Sequence, residues 1–407
     1  MPVGSLTFDG VGRTVTLVIA GEPPGALPPF DVPLPWWQEI ASVVAGARDR
    51  YGVDVQVLRL LHGDRPAPPG GHVTYLAEGA APLAEGTAPP AGATPVALDP
   101  SPQPRRAPWA APGGPAASVG WALATLDAPG VTAVQQRTWN LSAIWRLDAC
   151  GAPVAWLKQV PDFFAHEAAV LRLVDEVAPG LVPRVLATGP DGRMLLLPAP
   201  GEDCYDAPAP VRQGIAADLH PVQAHFAGRV GDLLAAGVPD RRSILRRVRE
   251  VAEPYLGSIP GLTQLVADLP GRLAAIDACR LPDTLVHGDL HPGNVTSDGS
   301  RRIILDWGDS TVGNPAYDIA RLVEGLPAAE AAPVVARWAD RWRRCVPGCD
   351  PERAVALLSP VVALRSAAVY ADFLANIEPS EWPYHAADVP ERLTAAVAAG
   401  AVAPQVA

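Results

Sequence analysis

The chain has 407 residues, 49% hydrophobic and 18% charged, with 43 acidic residues against 32 basic and a net charge of -11. That length allows two or three domains, and the apolar content excludes a wholly disordered chain. The acidic balance argues against nucleic acid or anionic lipid as a partner and favours a neutral or cationic small molecule.

In chain order, residues 1–78 read as a small α/β unit. Thr14–Ile19 is a strand candidate, and Trp36–Tyr51 has helical spacing, with Trp37, Ile40, Val44 and Ala47 on one face. Gly52 stands where a helix C-cap glycine belongs. Val53–Leu61 and His72–Leu76 follow as strands. Residues 79–115 are dominated by Ala, Pro and Gly and read as a linker. Residues 116–200 form a second unit, with strands at Val131–Leu147, Val154–Lys158 and Met194–Leu197 and a helix at Phe164–Val177. Residues 201–407 are mostly helical, with helices expected near 213–236, 241–256, 262–279, 316–325, 328–345 and 353–375. One compact β region interrupts them at 284–306.

Of the 32 basic residues, 31 are arginine and one, Lys158, is lysine. The five scattered cysteines have no zinc-site spacing and read as reduced structural residues in a cytosolic protein. No signal peptide is evident. The apolar stretch Ala354–Ala371 is broken by Pro360 and Arg365 and reads as a buried helix, so the expected setting is cytoplasmic, without a membrane partner.

The β region carries the chemistry. Leu285-Val286-His287-Gly288-Asp289-Leu290-His291-Pro292-Gly293-Asn294-Val295 is a short strand running into a tight loop. Val295–Ser297 and Arg302–Asp306 flank the turn sequence Asp298-Gly299-Ser300 and pair as a hairpin. That hairpin brings Asn294 and Asp306 to one end, with Asp289 on the loop just before. Two carboxylates and an amide oxygen at strand ends suit Mg²⁺, which takes a few oxygen ligands and leaves the rest to water and phosphate. A carboxylate beside the metal can hold a substrate hydroxyl and take its proton.

The pair HGDLHPGN and LDWGD resembles the aminoglycoside phosphotransferase and choline kinase family, of protein-kinase-like fold, over residues 130–375. The resemblance implies an α+β, two-lobed architecture: a β-rich nucleotide lobe and a mostly helical acceptor lobe, here with an additional small α/β N-terminal domain. It implies Asp289 as the catalytic base, and Asn294 and Asp306 as Mg²⁺ ligands. His287 would brace the loop; His291 is either an exposed loop residue or a brace or acceptor contact. Asp318 in Gly313-Asn314-Pro315-Ala316-Tyr317-Asp318 would brace the catalytic loop, and His220 would be structural.

In the nucleotide lobe the resemblance implies that Lys158 grips the α- and β-phosphates and pairs with Glu167, nine residues on; Asp162 is the alternative partner. Arginine does not replace lysine at such a site. Asn140 and Ser142, in the glycine-free loop of the phosphate-covering hairpin, would offer donors to the phosphates. The backbone of Leu197 and Ala199 would hold the purine.

The acceptor lobe, residues 201–407, carries 26 acidic and 19 basic residues. Acid with aromatic residues suits a hydroxylated amine, although most of the aromatics read as core. The N-terminal unit faintly resembles the helix–Gly–strand segment of Nudix hydrolases but lacks their glutamate cluster; dimerisation or shaping of the acceptor site are its two candidate roles. The expected activity is Mg²⁺-dependent transfer of the γ-phosphate of ATP (or GTP) to a hydroxyl of a small molecule: an antibiotic such as an aminoglycoside or nucleoside antibiotic, a sugar or an amino alcohol. The alternatives are a nucleotide-binding pseudokinase with a regulatory role and a carbohydrate kinase acting on maltose or hexoses.

Overall fold

The computed structural model describes residues 12–79, 93–99 and 101–402. The N-terminal unit is a sheet of β1 (Arg13–Ile19), β2 (Gly25–Ala26), β3 (Phe30–Val32), β4 (Val55–Gly63), β5 (His72–Gly79) and β6 (Thr94–Pro95), with helix α1 (Ala41–Tyr51). Its strand order is β4-β5-β1-β2-β6, with β3 also on β1 and the β1–β5 pair parallel. Val15, Leu17 and Ile19 alternate into a core with Trp37, Ile40 and Val43, the period of two expected of a half-buried strand. Gly52 caps α1 in the left-handed region at φ 68°, its N–H reaching Arg48 O at 2.9 Å.

The helix expected from Trp36 begins only at Ala41. Residues 36–40 run instead along the second sheet: Thr138 N–H donates to Gln38 O and Ile40 N–H to Gln136 O, both at 3.1 Å. Tertiary pairing overrides the helical spacing there. The stretch expected as a linker is partly packed as well. A 3₁₀ turn at Pro108–Ala110 buries Trp109, whose Nε1 donates to Trp139 O. Helix α2 (Gly114–Leu126) then starts with Pro115 in its first turn, a favoured position. Its Gly-Pro-Ala-Ala opening continues the linker's composition, which hid it.

The second sheet is antiparallel, in the order β10 (Val185–Thr188), β11 (Arg193–Leu196), β9 (Ala152–Gln159), β8 (Ser142–Ala149), β7 (Thr132–Trp139). One face packs on α2 and Trp109 through Trp145, Leu157 and Leu195. The other faces α3 (Glu167–Val177) through Trp156, Leu171 and Met194.

The larger lobe contains β12 (Glu202–Asp203), α4 (Ala209–Phe226), α5 (Val230–Ala235), α6 (Leu245–Ala252), α7 (Leu262–Asp277), β13 (Thr284–Val286), β14 (Val295–Ser297), β15 (Arg302–Ile304), β16 (Thr311–Gly313), α8 (Ala316–Leu322), α9 (Ala328–Cys345), α10 (Pro351–Asn376) and α11 (Asp388–Val402). The helix expected over 213–236 is two, broken at Gly228 with φ 79°. Helix α10 continues through Pro360 and Arg365, both buried. It is long and apolar enough to cross a membrane by length and composition, but here it packs against α6 to α9 and α11 as the lobe's central helix.

A 3₁₀ turn at Pro379–Tyr384 ties this lobe to the N-terminal unit. Glu381 accepts from Leu60 N–H at 3.1 Å, and Glu378 pairs with Arg106 at 2.9 Å and Arg59 at 3.7 Å. The Tyr384 ring meets Trp37 and Trp139 edge-on. The architecture is thus the expected α+β, two-lobed fold with an added α/β unit that touches both lobes. No disulfide joins the cysteines among the described residues.

Candidate active site

Strand β13 ends at Val286, and the chain turns at Gly288. Its φ is 90°, and a Cβ there would meet Asp309 O at 2.2 Å, so only glycine fits. Asp318 fixes this turn from α8, accepting from His287 N–H at 2.9 Å, Gly288 N–H at 3.0 Å and Gln223 Nε2 at 2.9 Å. His287 is fully buried against Trp307, its Nε2 bonded to Leu305 O at 2.9 Å and its Nδ1 accepting from Asp289 N–H at 3.3 Å. Both side chains brace the loop.

The Asp289 carboxylate accepts from Arg321 Nε at 2.9 Å and Asn294 Nδ2 at 3.3 Å, with His291 Nε2 3.4 Å away. Burial alone would raise this carboxyl. The His291 ring and the Arg321 guanidinium outweigh it and hold it well below the usual carboxylate range.

The β14–β15 hairpin forms as expected, Val295 opposite Ile304, and Leu305 N–H donates to Asn294 O at 2.8 Å. That bond sets Asn294 beside the start of the Asp306 turn. Asp306 has φ 60°. Lys158 Nζ donates to Glu167 Oε1 at 2.6 Å and to Asp306 Oδ1 at 2.8 Å. Burial alone would lower the lysine's proton affinity; Asp306 and Glu167 reverse this and raise it. Asp162, the alternative partner, lies in a separate 3₁₀ turn. Glu167 also accepts from Trp307 N–H at 3.2 Å, so α3 is coupled to the loop carrying Asp306.

A narrow slot opens between the sheet and the helical lobe, lined by Ile144, Trp156, Lys158, Leu196, Ala199 and Asp306, with Leu197 at its edge. Leu197 N–H is already donated to Arg184 O at 2.9 Å and is not available to a ligand; Leu197 and Ala199 both line the slot. Asn140 departs from its expected place: it is buried, and its Oδ1 is bonded to His385 Nε2 at 2.9 Å. It fastens the hairpin tip to the helical lobe and does not face the cleft. Ser142 does face the cleft, its Oγ accepting from Trp139 Nε1 at 3.1 Å.

A second cleft of about 370 Å³ meets the slot at Asp306. Its lining includes the charged residues Asp289, Asp306, Asp309, Arg321 and Arg365 and the aromatic residues Trp139, Tyr370, Phe373, Tyr384 and His385. Trp307, Trp338 and Trp342 are core, as expected of most aromatics. Burial, with the charges of Asp289 and Asp306, pushes the Asp309 carboxyl up to about 7.

Sequence reasoning missed Arg321, Asp309 and the contribution of residues 36–38. Arg321 follows Asp318 by three positions on α8, the spacing that puts two side chains on one helix face, so a signal for it existed. Among the described residues no cluster of three or more His, Cys, Asp or Glu side chains forms a metal cage. Asp306, Asn294 and Asp289 offer oxygen donors only, a set that fits Mg²⁺ and not a softer metal.

A sequence profile of the phosphotransferase enzyme family matches residues 152–356. No curated protein matches the chain significantly. Among solved structures the chain is similar to a choline/ethanolamine kinase family protein from Mesorhizobium loti, with 20% identity and a TM-score of 0.50 over 69% of this chain and 94% of that one. It is also similar to a mutant aminoglycoside 2'-phosphotransferase-IIIa in complex with GDP, with 16% identity and a TM-score of 0.50 over 70% of this chain and 98% of that one. At these identities the likeness is one of fold.

Proposed function

The chain belongs to the phosphotransferase enzyme family, a small-molecule kinase with a hydroxyl acceptor, and on that premise we propose that it moves the γ-phosphate of ATP or GTP with Mg²⁺. The observation that carries this reading is the convergence of Lys158, Glu167 and Asp306 at the junction of slot and cleft, with Asp289 on the cleft side. A nucleotide in the slot would direct its phosphates to that junction, and an acceptor hydroxyl in the cleft would approach from the Asp289 side. Arrangement in line of the two partners supplies most of the catalysis in phosphoryl transfer.

Asp306 and the amide oxygen of Asn294 would hold Mg²⁺, which when bound neutralises charge on the phosphates. Asn294 donates through Nδ2 to Asp289, so one side chain would connect base and metal. Asp289 would orient the hydroxyl and accept its proton; with so low a proton affinity it acts late, after the bond to phosphorus has begun to form. Lys158 would exchange Asp306 for the phosphates while keeping Glu167.

The regulatory pseudokinase reading is disfavoured because none of these five side chains is replaced. A screen of ADP release over aminoglycosides, nucleoside antibiotics, sugars and amino alcohols tests the proposal. ADP release above the acceptor-free rate with at least one class supports it. MgATP binding without turnover by any class favours the pseudokinase.

A further inference from the structure

The cleft beside Asp289 is not built by the two kinase lobes alone. Trp36, Gln38, Ala67 and Pro68 of the N-terminal unit form its remaining side. We propose that this segment is part of the acceptor site and reads the portion of the acceptor distant from the reacting hydroxyl. The inference rests on the phosphotransferase reading above.

The wall is rigid for reasons visible in its bonding. Residues 36–39 form a turn closed by Glu39 N–H donating to Trp36 O at 3.2 Å: Trp37 is fully buried in the N-terminal core, while Trp36 and Gln38 are half-buried and line the cleft. Gln38 O and Ile40 N–H are bonded to the β7 backbone. Glu39 accepts from Arg137 Nε at 2.8 Å, and the buried Arg13 donates to Glu39 O at 2.6 Å and to Leu34 O. The Ala67–Pro68 side is held by Gly70 N–H donating to Pro35 O and Trp37 Nε1 donating to Gly70 O. The segment is fastened to the same strand that leads into the Trp139–Ser142 hairpin tip, so wall and phosphate-covering loop form one body.

The chemistry of the wall selects among acceptors. Trp36, Trp139 and Tyr370 line the cleft and offer flat apolar faces. The Gln38 amide both donates and accepts, as a hydroxyl requires. Asp309, Asp388 and Arg365 add polar groups to the lining. A hydroxylated ring, a sugar or amino sugar, can use the faces and the amide together. A short linear amino alcohol placed at Asp289 fills only part of a cleft of about 370 Å³ and leaves Gln38 without a partner.

The test uses the full chain and its Gln38→Ala and Trp36→Ala variants, checked for wild-type melting and MgATP affinity. Kanamycin, D-glucosamine, maltose and choline serve as acceptors, and acceptor-free ATP hydrolysis is followed in parallel. For the best ring acceptor, Gln38→Ala should raise KM about tenfold, the scale of one lost hydrogen bond, while KM for ATP stays unchanged. Trp36→Ala should raise acceptor-free hydrolysis several-fold, because water enters past the wall. Folded variants with unchanged acceptor KM and unchanged hydrolysis overturn the proposal, as does choline as best acceptor with the same KM in every protein. A wild type that releases neither ADP from ATP nor GDP from GTP with any acceptor or with water fails the phosphotransferase reading itself, before any variant is compared.

Discussion

Arg321 on α8 donates through Nε to the Oδ1 of Asp289 at 2.9 Å, and its Nη1 reaches Glu324. The carboxylate that faces the cleft is therefore held ionised and oriented by a guanidinium one helical turn beyond the aspartate that braces its loop. Removing Arg321 leaves the orientation to Asn294 and His291 and takes away the main positive charge. Asp289 must be ionised to accept a proton, so activity falls as pH drops through its pKa. That pKa lies below the ordinary carboxylate range. Arg321→Gln should raise it, and the acid limb of the kcat/KM profile should move to higher pH. An acid limb at the wild-type position would show that Arg321 does not set the charge of Asp289.

Lys158→Arg preserves charge but not geometry. The ammonium sits between Glu167 Oε1 and Asp306 Oδ1 at 2.6 and 2.8 Å, in a space that is almost fully buried. A planar fork is wider and cannot make both contacts from that position. Turnover should fall by roughly 10²-fold or more, as for loss of a group that positions the phosphates. Steady-state kinetics against MgATP, with circular dichroism as the folding control, decide the matter.

Asp306→Ala should abolish the Mg²⁺ dependence of nucleotide binding, because its carboxylate is the charged oxygen donor at the junction. Asn294→Ala should be milder, since a neutral amide oxygen is the weaker ligand. Calorimetry of ATP binding with and without Mg²⁺ checks both. Equal Mg²⁺ dependence in Asp306→Ala and wild type would remove Asp306 from the metal site.

Glu381 gives a stability signature away from the chemistry. It is buried where the helical lobe meets β4, and burial pushes its carboxyl from 4.5 up to about 8. The folded chain thus keeps a proton that the unfolded chain releases. This contribution is fully present below 4.5 and is lost as pH rises through about 8. Glu381→Gln keeps the size and cannot ionise. From about pH 5 to about pH 9 the wild-type Tm should fall relative to that of the variant. Parallel Tm profiles would show that Glu381 is not protonated in the folded protein.

The loop around Asp289 and the Asp306 turn were legible because their requirements are local: a tight turn, a hairpin and a fixed spacing. The Lys158–Glu167 pair was an implication of the family resemblance, and the single lysine among arginines drew attention to position 158 alone. Asn140 was not, because its partner His385 lies 245 positions away, and no local pattern reports such a bond. The late start of α1 and the wall at residues 36–38 share that cause: their backbone groups are taken by β7, which sequence spacing does not show. Helix α11 escaped notice because its alanine-rich sequence carries little amphipathic signal, and it forms by packing against α10 and α7.

If this cleft performs phosphoryl transfer with Asp289 as base, Asp289→Asn must cut turnover without disturbing the nucleotide site. The substitution keeps the shape and the Asn294 contact but cannot take a proton. With a phosphorylated acceptor in hand, kcat should fall by roughly 10²–10⁴, while the calorimetric affinity for MgATP and the Tm stay at wild-type values. A folded Asp289→Asn protein that retains more than about half of wild-type turnover would contradict the account, since general-base removal cannot be that mild.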